Sequence, residues 1–378
     1  MAVINKIMDI VAPPIALISL FFFLPPFCLY KFTQYILSSL FPENMTNKVV
    51  LITGASSGLG EVSLSPLDTH THTHKQMFRI LIANEMFYIQ HLAYEYAKRE
   101  AILVLVARRI KSLNEVAMRC REIGSPSVLV VPADVSKPDD CKRFIDATIG
   151  NFGRLDHLVN NAGIESICLV EEITNMTNLK ALMDVNFWGS VYPTYYAIPH
   201  LKESRGRIVV MSSMAGYTFV PRMAFYSASK GALISFYDTL RMEFGSEIAI
   251  TIIAPGVIES EMAKGKVFTP QGKMEVDQEL RDAMLGLVPV QPVKDFAKIV
   301  VNRVCAGARY IIEPKWWYGV YFHRVFLPEI VDYWQRKLYS LSPQAPATIS
   351  LTKKMLEYLP VKSLLYTHSM QSPEIKRE

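Results

Sequence analysis

The sequence predicts a doubly wound parallel α/β sheet, and three features predict it. Short apolar runs alternate with helix-patterned stretches from about residue 48 to residue 253. Those runs are almost wholly apolar, as suits strands covered by helices on both faces. The first run opens directly into a glycine-rich turn, Thr53-Gly54-Ala55-Ser56-Ser57-Gly58-Leu59-Gly60, the kind of turn that lets backbone approach a pyrophosphate.

Taken in order, strands are expected at Lys48 to Thr53, Ile102 to Val106, Ser127 to Val131, Leu155 to Asn160, Arg207 to Met211 and Ile248 to Ile253. Helices are expected around 111–123, 138–151, 178–202 and 224–244. At 378 residues the chain has room for one large α/β domain with appendages, or for two domains. A formal charge of +5 spread along the chain gives no basis for nucleic-acid binding. The five cysteines, Cys28, Cys120, Cys141, Cys168 and Cys305, show neither metal spacing nor a disulfide framework, which fits a reducing, cytosol-facing location.

The first 31 residues read as an anchor. No charged residue occurs from Ile10 to Tyr30, a run long enough to cross a hydrocarbon core. Pro13-Pro14 and Pro25-Pro26 interrupt it, and a proline inside a helix costs about 3 kcal/mol, so a bent or hairpin insertion is expected. A secretory signal would need a small-residue cleavage site, which this segment lacks. Residues 31 to 46 read as a linker, with Pro42 and Asn44 as breakers.

Residues 62 to 90 read as an insertion into the first domain. Without them, Glu61 would join His91-Leu92-Ala93-Tyr94-Glu95-Tyr96-Ala97-Lys98 as one helix directly after the glycine-rich turn. The segment begins Val62-Ser63, codable by a splice-donor sequence, and ends in Gln90, codable by an acceptor, so a retained intron is the expected origin. The stretch Met77 to Glu100 could alternatively form one long helix, which would move the helix start away from the turn. His70, His72 and His74 alternate with threonines and read as a solvated loop, since no second ligand cluster accompanies them.

Tyr226 and Lys230 lie four residues apart on one helix face. An ammonium beside a phenol favours phenolate, so the tyrosine is expected to titrate nearer neutrality. Ser212-Ser213 ends the apolar run Ile208-Val209-Val210-Met211, and Ser213 stands thirteen residues before Tyr226.

With the glycine-rich turn, Asn160-Asn161-Ala162-Gly163, Asn186, Ser213, Tyr226, Lys230 and Pro255-Gly256, the chain resembles the short-chain dehydrogenase/reductase family over roughly residues 47 to 262. The proline-punctuated N-terminus makes it similar to the plant oil-body steroleosins, which are 11-beta-hydroxysteroid dehydrogenase-like. The resemblance implies a Rossmann-type fold, a homodimer, and a lipid-droplet or endoplasmic-reticulum location with the enzyme facing the cytosol. It makes Tyr226 the proton donor or acceptor and Ser213 the hydrogen-bond donor to the substrate oxygen. By the same resemblance Lys230 depresses the tyrosine pKa and binds the nicotinamide ribose, while Asn186 holds a relay water. For the cofactor it implies Gly54, Ser56, Ser57, Gly58, Leu59 and Gly60 at the phosphates, Asp134 and Val135 at the adenine, and Asn161, Ala162 and Gly163 bordering the site. Pro255, Gly256, Ile258 and Ser260 would meet the nicotinamide, with Ser260 where the family usually has threonine. Arg108 and Arg109 stand where NAD-specific relatives carry an acid, and guanidinium suits a 2′-phosphate, so NADP(H) is expected.

Residues 263 to 340, rich in large apolar side chains from Met284, Leu285 and Leu287 to Trp316, Trp317, Tyr318, Tyr321, Phe322 and Phe326, are expected to cover the substrate pocket. A sterol-like alcohol or ketone is the expected substrate, with a retinoid or long-chain keto lipid as the alternative. An inactive droplet protein, spoiled at its phosphate site by residues 62 to 90, is the non-enzymatic alternative. The tail from 341 to 378 reads as weakly ordered.

Overall fold

All six expected runs form strands, and a seventh joins them in one parallel sheet. These are β1 Val49–Thr53, β2 Ile102–Ala107, β3 Val128–Pro132, β4 His157–Asn160, β5 Arg207–Met211 and β6 Ala249–Pro255; after a small hairpin of β7 Lys266–Phe268 and β8 Met274–Val276 comes β9 Tyr310–Glu313. The sheet order is β3-β2-β1-β4-β5-β6-β9. Leu51 pairs with Val104 on one side and Leu158 on the other, and all five β1 residues are buried. The chain direction of travel reverses between β1 and β4, and in open parallel sheets ligands bind in the crevice beyond the strand ends at that switch point.

The computed structural model describes residues 2–55, 89–173, 175–339, 350–358, 362–367 and 370. Two compact units make up the chain, Met1–Asn44 with Cys305–Gly307 and the remainder. Ser56, Ser57, Gly58, Leu59 and Gly60, almost all of the insertion and its three histidines lie outside the described residues.

Of the bent or hairpin insertion expected at the N-terminus, the hairpin is not what forms. Ala2–Leu40 is one uninterrupted helix with all four prolines inside it, and Ile4–Gln34 is long and apolar enough to cross a membrane. Each proline removes one N–H, whereas the neighbouring turns keep theirs. In a segment with so few polar side chains no other partner competes for the backbone. The helix also absorbs most of the expected linker and stops at Leu40, just before Phe41-Pro42.

Helices cover both faces of the sheet. Val104, Val106, Leu158, Ile208 and Val210 pack with Phe144, Leu233 and Tyr237 in a buried core, where each large side chain contributes about 1.5–3 kcal/mol. Asp156 is buried but satisfied: its Oδ2 accepts from Val49 N–H at 2.9 Å, and Arg154 grips both carboxylate oxygens. The expected helix at 178–202 is broken. A 3-10 turn Met176–Leu179 and a short helix Lys180–Met183 lead into a π turn, Asp184–Trp188, before the regular helix Gly189–Ser204. Gly189 is needed at that junction, because a Cβ there would lie 2.7 Å from Val135 Cγ2.

The described tail is not weakly ordered as expected. Leu351–Tyr358 is helical, and Leu356, Tyr366 and Met370 are buried with Ala263 and Val290. Thr352 Oγ1 donates to Ala283 O at 2.6 Å, which ties this helix to Gln278–Leu285. Apolar anchors at Leu356, Tyr366 and Met370 are spaced too irregularly along the chain to stand out as a pattern.

Candidate active site

Four side chains named from the sequence meet at the carboxyl ends of β4 and β5. The helix Ala224–Phe244 runs behind β5 and buries both Tyr226 and Lys230. Lys230 Nζ donates to Met211 O at 2.9 Å, which takes one of its three protons, and it lies 5.7 Å from the Tyr226 ring centroid. Ser213 acts on the Tyr226 hydroxyl and lowers its pKa, and its Oγ accepts from Ala215 N–H at 3.1 Å. Ser212, the alternative serine, points elsewhere: its hydroxyl donates to Lys230 O at 2.9 Å. Of the two serines, Ser213 is the one that acts on Tyr226.

Asn186 sits in the π turn, fully buried. Its Oδ1 accepts from Ile164 N–H at 2.8 Å, while its Nδ2 donates to Ile164 O at 2.9 Å and Ser229 Oγ at 3.0 Å. Its side chain thus holds the Gly163–Ile164 segment against the helix bearing Tyr226. A Cβ at Gly163 would lie 3.4 Å from both Asn186 Oδ1 and Lys230 Nζ, in ordinary contact, so the bare glycine leaves the space beside them open.

The expected electrostatics need correcting. Lys230 was expected to draw Tyr226 toward neutrality, yet burial pushes Tyr226 well up, the Glu165 carboxyl adds to this, and only the Ser213 side chain opposes it. Burial likewise lowers Lys230 to about 8, with Glu165 pulling it back up. Desolvation disfavours both charges at once.

The cofactor side is laid along the switch point. Gly54 turns out of β1 at φ +79°, a conformation glycine adopts freely, and a Cβ there would strike Ala162 Cα at 2.9 Å. Gly54 and Ala55 N–H both donate to Val106 O, so the turn lies beside the end of β2. Asn161 Nδ2 donates to Thr53 O at 3.1 Å and its N–H donates to Thr53 Oγ1, which locks β4 to β1. Its buried Oδ1 has no partner, an orphan acceptor at the mouth of the crevice. Asn160 faces the other way, donating to Ser190 O, Thr194 Oγ1 and Tyr237 OH.

Arg108 is exposed at the end of β2, and Arg109 is partly buried and sensed by Glu261. Asp134 Oδ1 accepts from both the N–H and hydroxyl of Ser136, so it shapes a turn, and Val135 is packed against Gly189. Gly256 N–H donates to Glu313 O at 2.8 Å, and the Trp317 indole covers it so closely that no Cβ would fit. Ile258 is buried and bridges to Gln291. Ser260 Oγ accepts from Ala263 N–H at 3.0 Å. The turn at Gly54, a bare Gly163 beside Lys230, an orphan Asn161 side-chain carbonyl and an exposed arginine together fit a dinucleotide.

Sequence reading passed over Thr53, Ser229 and Glu165. The first two are ordinary strand and helix residues whose role appears only from their partners. A carboxylate two residues after Asn160-Asn161-Ala162-Gly163, between Ile164 and Ser166, was the signal for Glu165.

Comparison with known proteins places these features in a family. The short chain dehydrogenase model matches residues 90–270, starting at the end of the inserted segment. The chain is 45% identical to 11-beta-hydroxysteroid dehydrogenase A of Sesamum indicum and 46% identical to 11-beta-hydroxysteroid dehydrogenase 1A of Arabidopsis thaliana, each over the full length of both chains. It is 41% identical to 11-beta-hydroxysteroid dehydrogenase of Pinus massoniana, over 90% of this chain and 87% of that one. Its fold is similar to an alcohol dehydrogenase from the archaeon Thermococcus sibiricus, complexed with 5-hydroxy-NADP. That match has a TM-score of 0.51 and 20% identity, over 70% of this chain and 94% of that one. The chain is a nicotinamide-dependent oxidoreductase and belongs to the short-chain dehydrogenase/reductase family.

Proposed function

We propose that the chain is an NADP(H)-dependent hydroxysteroid dehydrogenase-like enzyme, held by its N-terminal helix at a lipid droplet or the endoplasmic reticulum and working on a sterol-type alcohol or ketone. The observation that carries the chemistry is the buried Tyr226 and Lys230 on one helix, with Lys230 Nζ 5.7 Å from the Tyr226 ring centroid and Ser213 acting on the Tyr226 hydroxyl. A bound nicotinamide supplies or takes the hydride. Tyr226 gives its proton to the carbonyl oxygen in reduction, or takes one from the alcohol in oxidation. Ser213 steadies the negative charge that gathers on that oxygen. Lys230 holds its ammonium beside the pair, and Asn186 fixes the loop that carries Gly163. Arg108, exposed where β2 ends, supports NADP(H) through charge-assisted contacts to a 2′-phosphate.

Two observations favour a large apolar substrate. Tyr226 packs among Cys168, Leu182, Met223, Phe268 and Met284, with Tyr339 against the same cluster. Beyond Tyr339 lies an apolar cavity of about 450 Å³ lined by Leu285, Leu287, Val288, Trp316, Leu338 and Met355, within the size range of small-molecule sites. The relatives named as hydroxysteroid dehydrogenases turn this toward sterols rather than retinoids or keto lipids. Ile4–Gln34 supports the lipid location by its length and composition. The test is turnover of ketosteroids against retinal and long-chain keto lipids with NADPH or NADH, using protein reconstituted in vesicles. A rate with NADPH and a ketosteroid at least tenfold above the others is expected; preference for NADH or for the other lipids would overturn the proposal.

A further inference from the structure

Two loops wall the apolar cluster that holds Tyr226. One runs from Cys168 to Ile173 and carries the 3-10 turn Val170–Glu172. The other runs from Val220 to Met223 and leads into the helix of Tyr226. Cys168 and Ile173 from the first loop pack in the same cluster as Val220 and Met223 from the second. Arg222 ties the loops together in two ways. Its carbonyl accepts from Cys168 N–H at 2.8 Å. Its guanidinium Nη1 donates to Glu172 Oε1 at 2.9 Å and to Oε2 at 3.1 Å, and Glu172 is itself fixed, since Oε2 accepts from Leu169 N–H at 2.8 Å.

The Arg222 side chain is 6% exposed and that of Glu172 38%, so the carboxylate reaches water while the guanidinium does not. A buried charge stripped of its counter-charge is costly, and Arg222 Nε already has no partner. Arg222 also holds φ +66°, a left-handed conformation that a residue with a Cβ rarely takes. It falls one residue before Met223, the N-cap of the Tyr226 helix. Backbone strain persists where the surroundings over-determine it, and here they are the ion pair and the Cys168 N–H.

We infer that the Arg222–Glu172 pair is a strap that holds the two loops as one substrate-facing wall beside Tyr226, with Arg222 the positioning residue. This rests on the proposed binding of an apolar substrate against Tyr226. With the strap closed, the wall is formed before substrate arrives. With it open, the substrate must order two loops as it binds, which weakens binding and leaves proton transfer at Tyr226 as it was. KM then rises while kcat holds.

The test is a double-mutant cycle on the full chain in vesicles, with Arg222→Gly, Glu172→Gln and the two combined. Glycine suits φ +66°, so the first variant removes the side chain and relieves the backbone. One readout is KM and kcat for a ketosteroid, with NADPH affinity beside them. The other is the rate at which a maleimide labels Cys168, 3% exposed in the cluster, followed by peptide mass. Each single variant should raise KM and speed Cys168 labelling by about tenfold, with kcat and NADPH affinity kept. The double variant should do no more than either. Additive effects, a lost NADPH affinity, or a lower melting temperature with KM and labelling at wild-type values would each overturn the strap. A wild type that turns over no ketosteroid would instead overturn the substrate reading, and the Cys168 rates would still decide the strap.

Discussion

The side-chain amide of Asn186 holds both backbone groups of Ile164, accepting from its N–H at 2.8 Å and donating to its carbonyl at 2.9 Å. That pairing binds the loop after β4 to the π turn and, through Ser229 Oγ, to the helix carrying Tyr226 and Lys230. One buried amide thereby sets the spacing of three elements of the site.

Replacing Asn186 by Leu should therefore cost both stability and turnover. Two backbone groups of Ile164 would be left unpaired in a buried place, at about 1–3 kcal/mol each. Asp at this position keeps the acceptor and loses the donors, and should fall between. Thermal melts with steady-state rates check this; a Leu variant with wild-type rate and melting temperature would contradict it.

Arg108 should decide the cofactor. Arg108→Glu places a carboxylate where a 2′-phosphate is proposed to sit, and should weaken NADPH binding by about 10–100-fold, the worth of one charge-assisted contact. NADH binding should hold or improve. Fluorescence titration with both cofactors measures it, and an equal loss for the two would show that Arg108 does not discriminate.

Residues 62 to 90 should weaken the enzyme. Closing a loop of that length costs about 3 kcal/mol beyond a constant. Gln90, at its end, is buried with neither amide atom partnered. Deleting Val62 to Gln90 should raise the melting temperature and tighten NADPH binding, and a transcript shorter by that segment should exist. Unchanged stability and affinity in the deletion, with no shorter transcript, would refute the retained-intron account.

Glu165 should also leave a mark on stability. Its pKa is raised by burial to about 7, so the folded state holds a proton that the unfolded chain releases near its ordinary value. The cost is absent at low pH and grows as pH rises through that window. Glu165→Gln should accordingly match the wild type near pH 4.5 and exceed it by about 1–3 kcal/mol above neutrality. Parallel pH–stability curves would contradict this.

Much of this was legible in the sequence where burial on both faces writes a continuous apolar run. Val49–Thr53, Ile102–Ala107 and Arg207–Met211 announce themselves in that way. Strand β9 did not, because Ile311 and Ile312 are too short a run among aromatics and charges to mark a strand. The N-terminal prolines argued for a bent or hairpin insertion, and the continuous helix excludes the hairpin. Tyr226, Lys230 and Ser213 were readable from spacing, since four residues make one helical turn. The electrostatics were not, because the balance between desolvation and pairing depends on Glu165 and the apolar cluster around it, which come together only in the fold.

The most direct test of the whole account is NADPH oxidation by vesicle-bound enzyme with a ketosteroid, wild type beside Tyr226→Phe. The account predicts steroid-dependent NADPH consumption that falls by about 10²–10⁴-fold in the variant, with the fold and cofactor binding kept. Turnover that survives loss of the tyrosine hydroxyl, or a cofactor-bound wild type that reduces no ketosteroid, would contradict it.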